Sequence, residues 1–510
     1  MTSPFSSLLK SHLDRLAPEL LADSQRIIQF KTVSGGSPEE EATLKQELPR
    51  CFAWLRTRAE AFGFEYREFE GRVGEIAWNH PKGDAAPLVV VAGHIDVVTP
   101  GTGNWTHPAF GGEVHDGELW GRGTQDDKVP TLQALYAMRA LKEAGVQLPF
   151  NLRLVVGSQE ETGNWDDLAM YASQTRKPDF GFTPDANFPV INGEKGNLAL
   201  RLNGEWELSG PDAETGIEFA NLIGGERRNM VPAHCEIALR FNAADRTEVL
   251  KELVRTTTAY VVEHSEANVT LQPDKQKQLP DGRYEAAVSF LGKSAHSSTP
   301  DDGGHNAIVD AFDFLKDVET IPYPVRRFVA IGHLFGSDLS GTTLGVEGSH
   351  PVVGDTTCCL VLTDIRPTVG RMLFNIRPTL GCTLASVTER AQKVIAAYQA
   401  EMPELKLSIE RMGDGMEAQF LDPTQPALSP FLEALRESIT VVTGRPGEFR
   451  SVGGTTYAKA MPNTCAFGPT FEDEPNRIHQ VDERVPVAHL IRNTEIYATS
   501  FLLMKKNLES

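Results

Sequence analysis

Five widely separated stretches of the chain end an apolar run on acidic or imidazole groups. His94 and Asp96 close VVVAGHIDVV, Asp126 lies in LWGRGTQDDK, Glu160 and Glu161 end NLRLVVGSQEE, Asp185 ends PDFGFTPD, and His479 lies in PNRIHQVDE. A single histidine at a strand end is ordinarily a satisfied structural residue, and a glutamate pair an ordinary solvated edge. Gathered at one edge of a sheet, however, these carboxylates repel and raise one another's pKa unless positive charge sits among them. A pair of divalent cations would supply that charge. Two imidazoles with several carboxylates suit zinc, with manganese or cobalt as alternatives, whereas calcium takes oxygens only. Two such cations about 3.5–4 Å apart, bridged by a carboxylate, share a water, lower its pKa and polarise a carbonyl. Of an adjacent glutamate pair, one holds metal while its neighbour takes the proton of that water. The chemistry indicated is hydrolysis of an amide.

The elements that must aim these groups are readable in outline. PLVVVAGHIDVV is a β-branched run without polar interruption, which predicts a strand buried on both faces of a parallel sheet. Its period of two puts His94 and Asp96 on one side. PTLQALYAMRALKEAG, with Pro130 near its start and Gly145 at its end, predicts a helix. NLRLVVGSQEE and PDFGFTPD predict further strands. Leucine and isoleucine spacing over residues 5 to 30 predicts an amphipathic helix, and a second helix closes at Gly63. This alternation is that of an α/β fold, whose ligands gather at the carboxyl ends of the strands.

From about Gly196 the texture changes. LALRLNGEWEL and HCEIALRFNA alternate apolar and polar residues, as in an antiparallel sheet with one wet face. Helices at DRTEVLKELVRTTTAYV and NAIVDAFDFLKDV and strands at YEAAVSFLG and GRMLFNIRPTL complete an α+β pattern. After about residue 416 the first texture returns in SPFLEALRESITVVTG and TCAFGP. The expected organisation is a mostly parallel α/β domain, 1–196 and 416–510, interrupted by an inserted α+β domain, 197–415.

Composition excludes several classes. At 510 residues the chain is too long for a single core. A net charge of −20 without any basic stripe argues against nucleic acid as a partner. No window approaches the roughly 18 apolar residues of a membrane span, and the first residues lack a signal-peptide core. The six cysteines show no C-x-x-C pair, so reduced thiols in a cytoplasmic protein are expected.

In order and context the five motifs resemble the dinuclear metallopeptidase family of dipeptidases, carnosinases, acetylornithine deacetylase and succinyl-diaminopimelate desuccinylase. That resemblance covers almost the whole chain and implies a catalytic α/β domain interrupted by a lid. It implies that His94 and Asp185 hold one metal, Glu161 and His479 the other, with Asp126 bridging. Glu160 becomes the general base, and Asp96 the partner that sets the His94 tautomer. The spacing from GRG favours Asp126 over Asp127 as the bridge; Asp127 shapes the turn, where family members carry a cis peptide. In the inserted domain the resemblance assigns His296, in SAHSSTP, to the oxyanion, Arg377, in FNIRPT, to a substrate carboxylate, and Asn229, in ERRNMVP, to substrate binding.

Aspartate at position 185 resembles the dipeptidase and aminotripeptidase branch, and FGFTPDANFPVINGEKGN with GGTTYAKAMPNT resembles bacterial PepV-type dipeptidases. Gln159, Val129, Thr455 and Lys459 depart from that pattern; none is a metal ligand, and they bear on substrate preference. The expected activity is metal-dependent cleavage of unblocked dipeptides. The alternatives are an N-acyl amino acid deacylase using the same site, and a non-catalytic metal- or peptide-binding homologue. A long insertion able to close over its own site favours a monomer over a homodimer. His107, His115, His305 and His350 are expected to be solvated loop residues.

Overall fold

Leu88–His94 is buried at all seven positions, and the first unit of the fold is built around it. The computed structural model describes residues 4–101, 103–208, 217–264, 267–271 and 276–509. Two units are distinguished: Met1–Gly193 with Phe420–Ser451 and Thr455–Ser510, and Glu194–Gln419 with Val452–Gly454. In the first, the strand order runs Glu65–Phe69, Val73–Trp78, Asn151–Gly157, Leu88–His94, Phe180–Thr183, Thr464–Phe467, Val190–Glu194. The four inner strands are mutually parallel and the margins antiparallel. Parallel strands need cover on both faces. Helix Lys128–Glu143 lies against Leu88–His94 and packs between Pro4–Ile28 and Val487–Glu509. Its residues Lys128 through Met138 are all buried, the mark of a helix enclosed on every side.

The approach of that helix explains one glycine. A Cβ on Gly93 would sit 2.0 Å from Thr131 Oγ1 and 2.8 Å from Asp127 Oδ2. Only glycine lets the helix start seat itself against the strand one residue before His94.

In the second unit nine strands form an antiparallel sheet in the order Asn268–Leu271, Tyr284–Leu291, His234–Phe241, Ile217–Gly224, Thr357–Arg366, Val369–Arg377, Leu198–Glu205, Ser408–Arg411, with Lys277–Gln278 also pairing Tyr284–Leu291. Leu198–Glu205 alternates buried and half-buried residues, as one-sided packing requires. Helices Arg246–Glu263 and Ala307–Lys316 fall where their periodicity predicts. Tyr323–Gly336 and Leu384–Glu401 are two further helices, each burying one face at helical spacing: Val325, Phe328, Val329 and Phe335 in one, Leu384, Val387, Ala391 and Ile395 in the other. The first contains a proline and two glycines, and Gly332 allows Met372 to approach within 2.4 Å of where a Cβ would stand. The proline stands in the first turn, where it is tolerated.

No helix among the described residues is long and apolar enough to cross a membrane. None of the six cysteines forms a disulfide among the described residues.

Leu135 is fully buried in the helix Lys128–Glu143. Leu135→Ala is expected to lower stability by about 2–5 kcal/mol in chemical denaturation. Val262→Ala, at a position 79% exposed, should change it by less than about 0.5 kcal/mol.

Candidate active site

The strand ends bring the predicted groups together. His94 Nε2 lies 3.0 Å from Asp126 Oδ1 and 3.7 Å from Asp185 Oδ2. His479 Nε2 lies 3.0 Å from Asp126 Oδ2 and 3.2 Å from Glu161 Oε1. Asp126 therefore offers one oxygen to each imidazole. Ligand atoms of His94, Asp126 and Asp185 lie within 4.8 Å of one another, as do those of Asp126, Glu161 and His479. The donor set fits divalent cations by a direct test: His94 Nε2 and Asp126 Oδ1 are both buried, and neither makes a hydrogen bond despite their proximity. Buried polar atoms left unpaired are costly, and a shared cation satisfies both.

The electrostatics agree. Burial disfavours a charged His94, yet Asp126, Asp185 and Asp96 outweigh it and hold the pKa well above the ordinary value. His479 is pushed up to about 11, against burial, by Asp126 and Glu161. Asp126 is held below the carboxylate range, against burial, by His479 and His94. Burial and Asp126 raise Glu161 to about 7 and lift Asp185 as well. Burial, then Asp185, pushes Glu160 well above its usual range. Left to itself, such a cluster gathers protons, and divalent cations compete with protons for the same lone pairs.

Asp96 holds this edge in register. The resemblance assigns it the His94 tautomer, and the structure puts His94 Nδ1 3.0 Å from the Asp96 main-chain oxygen, with Oδ1 at 3.4 Å. The Asp96 carboxylate accepts hydrogen bonds from the backbone N–H groups of Glu160 (3.2 Å) and Glu161 (3.1 Å) and from Ser34 Oγ (2.7 Å). One side chain thus fixes the glutamate pair relative to the strand that carries His94. The Glu160 carboxylate makes no hydrogen bond or ion pair among the described residues. Asp126 joins Asp127 through a cis peptide, and Asp127 Oδ2 accepts from His94 N at 3.2 Å and Thr131 Oγ1 at 2.9 Å.

Three further supports were not singled out by residue type or spacing. Glu483, fully buried, accepts from Gly123 N (3.1 Å) and Gln125 N (2.8 Å) and pairs with buried Arg122 at 2.5 Å. It ties the turn before Asp126 to the loop of His479. The motif H-Q-x-D-E that led to His479 contains it, so a signal was present. Asp167 accepts from Ser158 N (2.7 Å), Gln159 N (3.1 Å) and the Tyr457 hydroxyl (2.8 Å), holding the turn before Glu160; Asp167 carries no local signal, whereas Tyr457 stands in the GGTTYAKA stretch. His479 itself has φ 62 and Asp482 φ 61. This left-handed backbone is uncommon for non-glycine residues, and Asp482 is anchored by Thr106 N (2.7 Å) and Oγ1 (2.8 Å).

The remaining predicted residues lie in the second unit and are linked there. His296 Nδ1 is engaged within its own loop, 2.6 Å from Ser298 Oγ and 3.2 Å from Ser298 N. Ser297 N donates to Asn229 O at 2.9 Å. Asn375 Oδ1 accepts from Ser297 Oγ and from Arg377 Nε, each at 2.9 Å. Asn375 is thus the joint between the loop of His296 and the strand of Arg377. Arg377 is only 4% exposed, and burial lowers its pKa to about 10, Glu194 opposing. Asn229 is exposed.

Residues 90–502 match the sequence profile of Peptidase family M20/M25/M40. "Putative dipeptidase YtjP" of Bacillus subtilis (strain 168) is 27% identical over 504 residues, covering 96% of this chain and 98% of that protein. "Putative dipeptidase SSP1012" of Staphylococcus saprophyticus is 28% identical over 447 residues, 87% of each chain. Among solved structures, human carnosine dipeptidase 1 is similar with a TM-score of 0.54 at 14% identity, over 98% of this chain and 100% of that one. The dipeptidase Dug1p of Saccharomyces cerevisiae is similar with a TM-score of 0.56 at 14% identity, over 98% of each. At that identity the likeness is one of fold.

Removing the Glu483 carboxylate leaves Arg122 buried and uncompensated. Glu483→Ala is expected to cost about 3–5 kcal/mol in chemical denaturation. An unchanged unfolding midpoint would show that the two loops are held by other contacts.

Proposed function

Since the chain belongs to peptidase family M20/M25/M40, we propose that it is a metal-dependent dipeptidase that hydrolyses the amide bond of unblocked dipeptides. The observation that carries this reading is Asp126, set between His94 and His479 with one oxygen toward each, beside a glutamate whose carboxylate is left without a partner. His94 and Asp185, Glu161 and His479, and Asp126 between them would hold two divalent cations. We favour zinc, with manganese or cobalt as alternatives. Such a pair, when bound, polarises a carbonyl and lowers the pKa of a water.

The chain's own groups perform the remaining steps. Glu160 takes the proton of the attacking water and returns it to the leaving amine, a role suited to a carboxyl whose pKa burial has raised. Asp96 keeps Glu160 and Glu161 at fixed depth through their backbone N–H groups. In the second unit, His296 is the residue assigned to the developing oxyanion. Arg377 is the guanidinium assigned to the dipeptide's carboxylate, and Asn229 is assigned to hydrogen-bond the substrate. The names of the two bacterial relatives and the aspartate at position 185 support a dipeptidase over a deacylase. The reading extends to a monomeric enzyme of the cytoplasm, supported by the long insertion and by cysteines without disulfides.

Glu160→Ala is expected to lower kcat about 100- to 10,000-fold with metal content retained; full activity in that variant, measured as amino acids released from a dipeptide panel, sinks the mechanism. Free and N-acetylated dipeptides compared side by side should show cleavage of the free ones. Preference for the acetylated ones establishes a deacylase instead, and binding without turnover under zinc, manganese and cobalt a non-catalytic homologue. Arg377→Lys should raise KM for dipeptides while leaving metal content unchanged, because a point charge replaces a two-pronged donor.

A further inference from the structure

A second group of metal-ligating side chains occurs in the first unit on other elements: His107, Glu113 and His115. Glu113 and His115 occupy a short strand, Glu113–His115, whose neighbour is Glu118–Trp120. Two positions apart on an extended strand, they project to the same side. His107 comes from the preceding loop and stacks on His115, with ring centroids 3.6 Å apart and planes within 6°. Its ring stands nearly perpendicular to that of Trp120, with centroids 4.7 Å apart. Glu113 Oε2 lies 2.8 Å from His115 Nε2 and 3.8 Å from His107 Nδ1. One ligand atom from each residue lies within 4.8 Å of the other two. The spacing that predicts two solvated loop histidines misses this convergence, because His107 meets its partners only through the turn back into the strand.

We propose that His107, Glu113 and His115 form a third cation site, of the zinc class and independent of the pair at the strand ends. Two imidazole nitrogens and one carboxylate oxygen are the donors that borderline divalent cations select, whereas calcium and magnesium seek oxygens alone. Three protein ligands leave a position for water, and the side chains are accessible: His107 is 23%, His115 40% and Glu113 45% exposed. The strand holds Glu113 and His115 in place before any cation arrives. The two rings stack face to face, so a cation seated on Glu113 and His115 recruits His107 by turning the ring that a loop carries. Binding then pins that loop to the sheet of Glu113–His115, Glu118–Trp120 and Arg484–Pro486. The same loop also accepts Arg122 N at Ala109 O, 2.8 Å, so its anchoring reaches the turn before Asp126.

The test is zinc stoichiometry on the full-length protein, by equilibrium dialysis and elemental analysis. Wild type is expected to take up one more equivalent per chain than H107A/H115A. This difference is read whatever the strand-end site binds, so failure of the dipeptidase reading leaves it intact. Equal stoichiometry overturns the proposal. Should the double variant not fold, Glu113→Gln, nearly isosteric and at an exposed position, is expected to weaken that equivalent roughly tenfold or more; unchanged zinc affinity in this variant also overturns it.

Discussion

Asp126 is the group on which the rest of this molecule depends. Its two oxygens each lie 3.0 Å from an imidazole nitrogen, and Asp185, Glu161 and Glu160 crowd the same edge. Carboxylates so gathered repel one another, and burial sharpens the repulsion by removing the water that would screen it. A flexible chain would relieve this by letting its loops part. The observed arrangement persists only where the backbone carrying each group is itself over-determined, and that requirement accounts for much of what surrounds the site.

Each anchor answers that requirement differently. His94 ends a strand buried on both faces, with Gly93 letting the helix start close against it. Glu160 and Glu161 are gripped by the Asp96 carboxylate, and the turn before them by Asp167. A Cβ on Gly157 would stand 2.5 Å from the Tyr457 hydroxyl and 2.7 Å from Asp167 Oδ2, so this grip also needs a bare backbone. His479 comes from a loop, and its left-handed backbone is held by the neighbouring contacts of Asp482 and Glu483. Asp96 and Glu483 do the same physical work in two places: a buried carboxylate collects the N–H groups of a turn that has no regular partner.

Legibility from sequence follows the range of the interaction. The β-branched run before His94, the alternation in the second unit's strands and the Pro and Gly at the ends of the helix Lys128–Glu143 are local signals, and the corresponding elements stand where those signals fall. Chemistry-bearing groups at the breaks of apolar runs are also local, and the structure brings six of them to one edge. Asp167 and Tyr457 lie 290 residues apart in sequence, and nothing near either announces the other. Asn375, which joins Ser297 to Arg377, reads as one more polar residue on a wet strand face. The helix Tyr323–Gly336 carries apolar residues at helical spacing, but Pro324 and two glycines blur that signal.

By itself, the sequence determined which residue types stand at the ends of which strands, and hence that imidazoles and carboxylates must share a sheet edge. Periodicity and side-chain chemistry are properties of short stretches, and they survive being read one stretch at a time. The tertiary structure alone decided that Asp126 turns one oxygen to each histidine, that Asp96 grips the glutamate pair by its backbone, and that His107 closes on Glu113 and His115. Those outcomes depend on distances between segments far apart in the chain, which are set by how the helices and sheets pack and not by any residue's local preference.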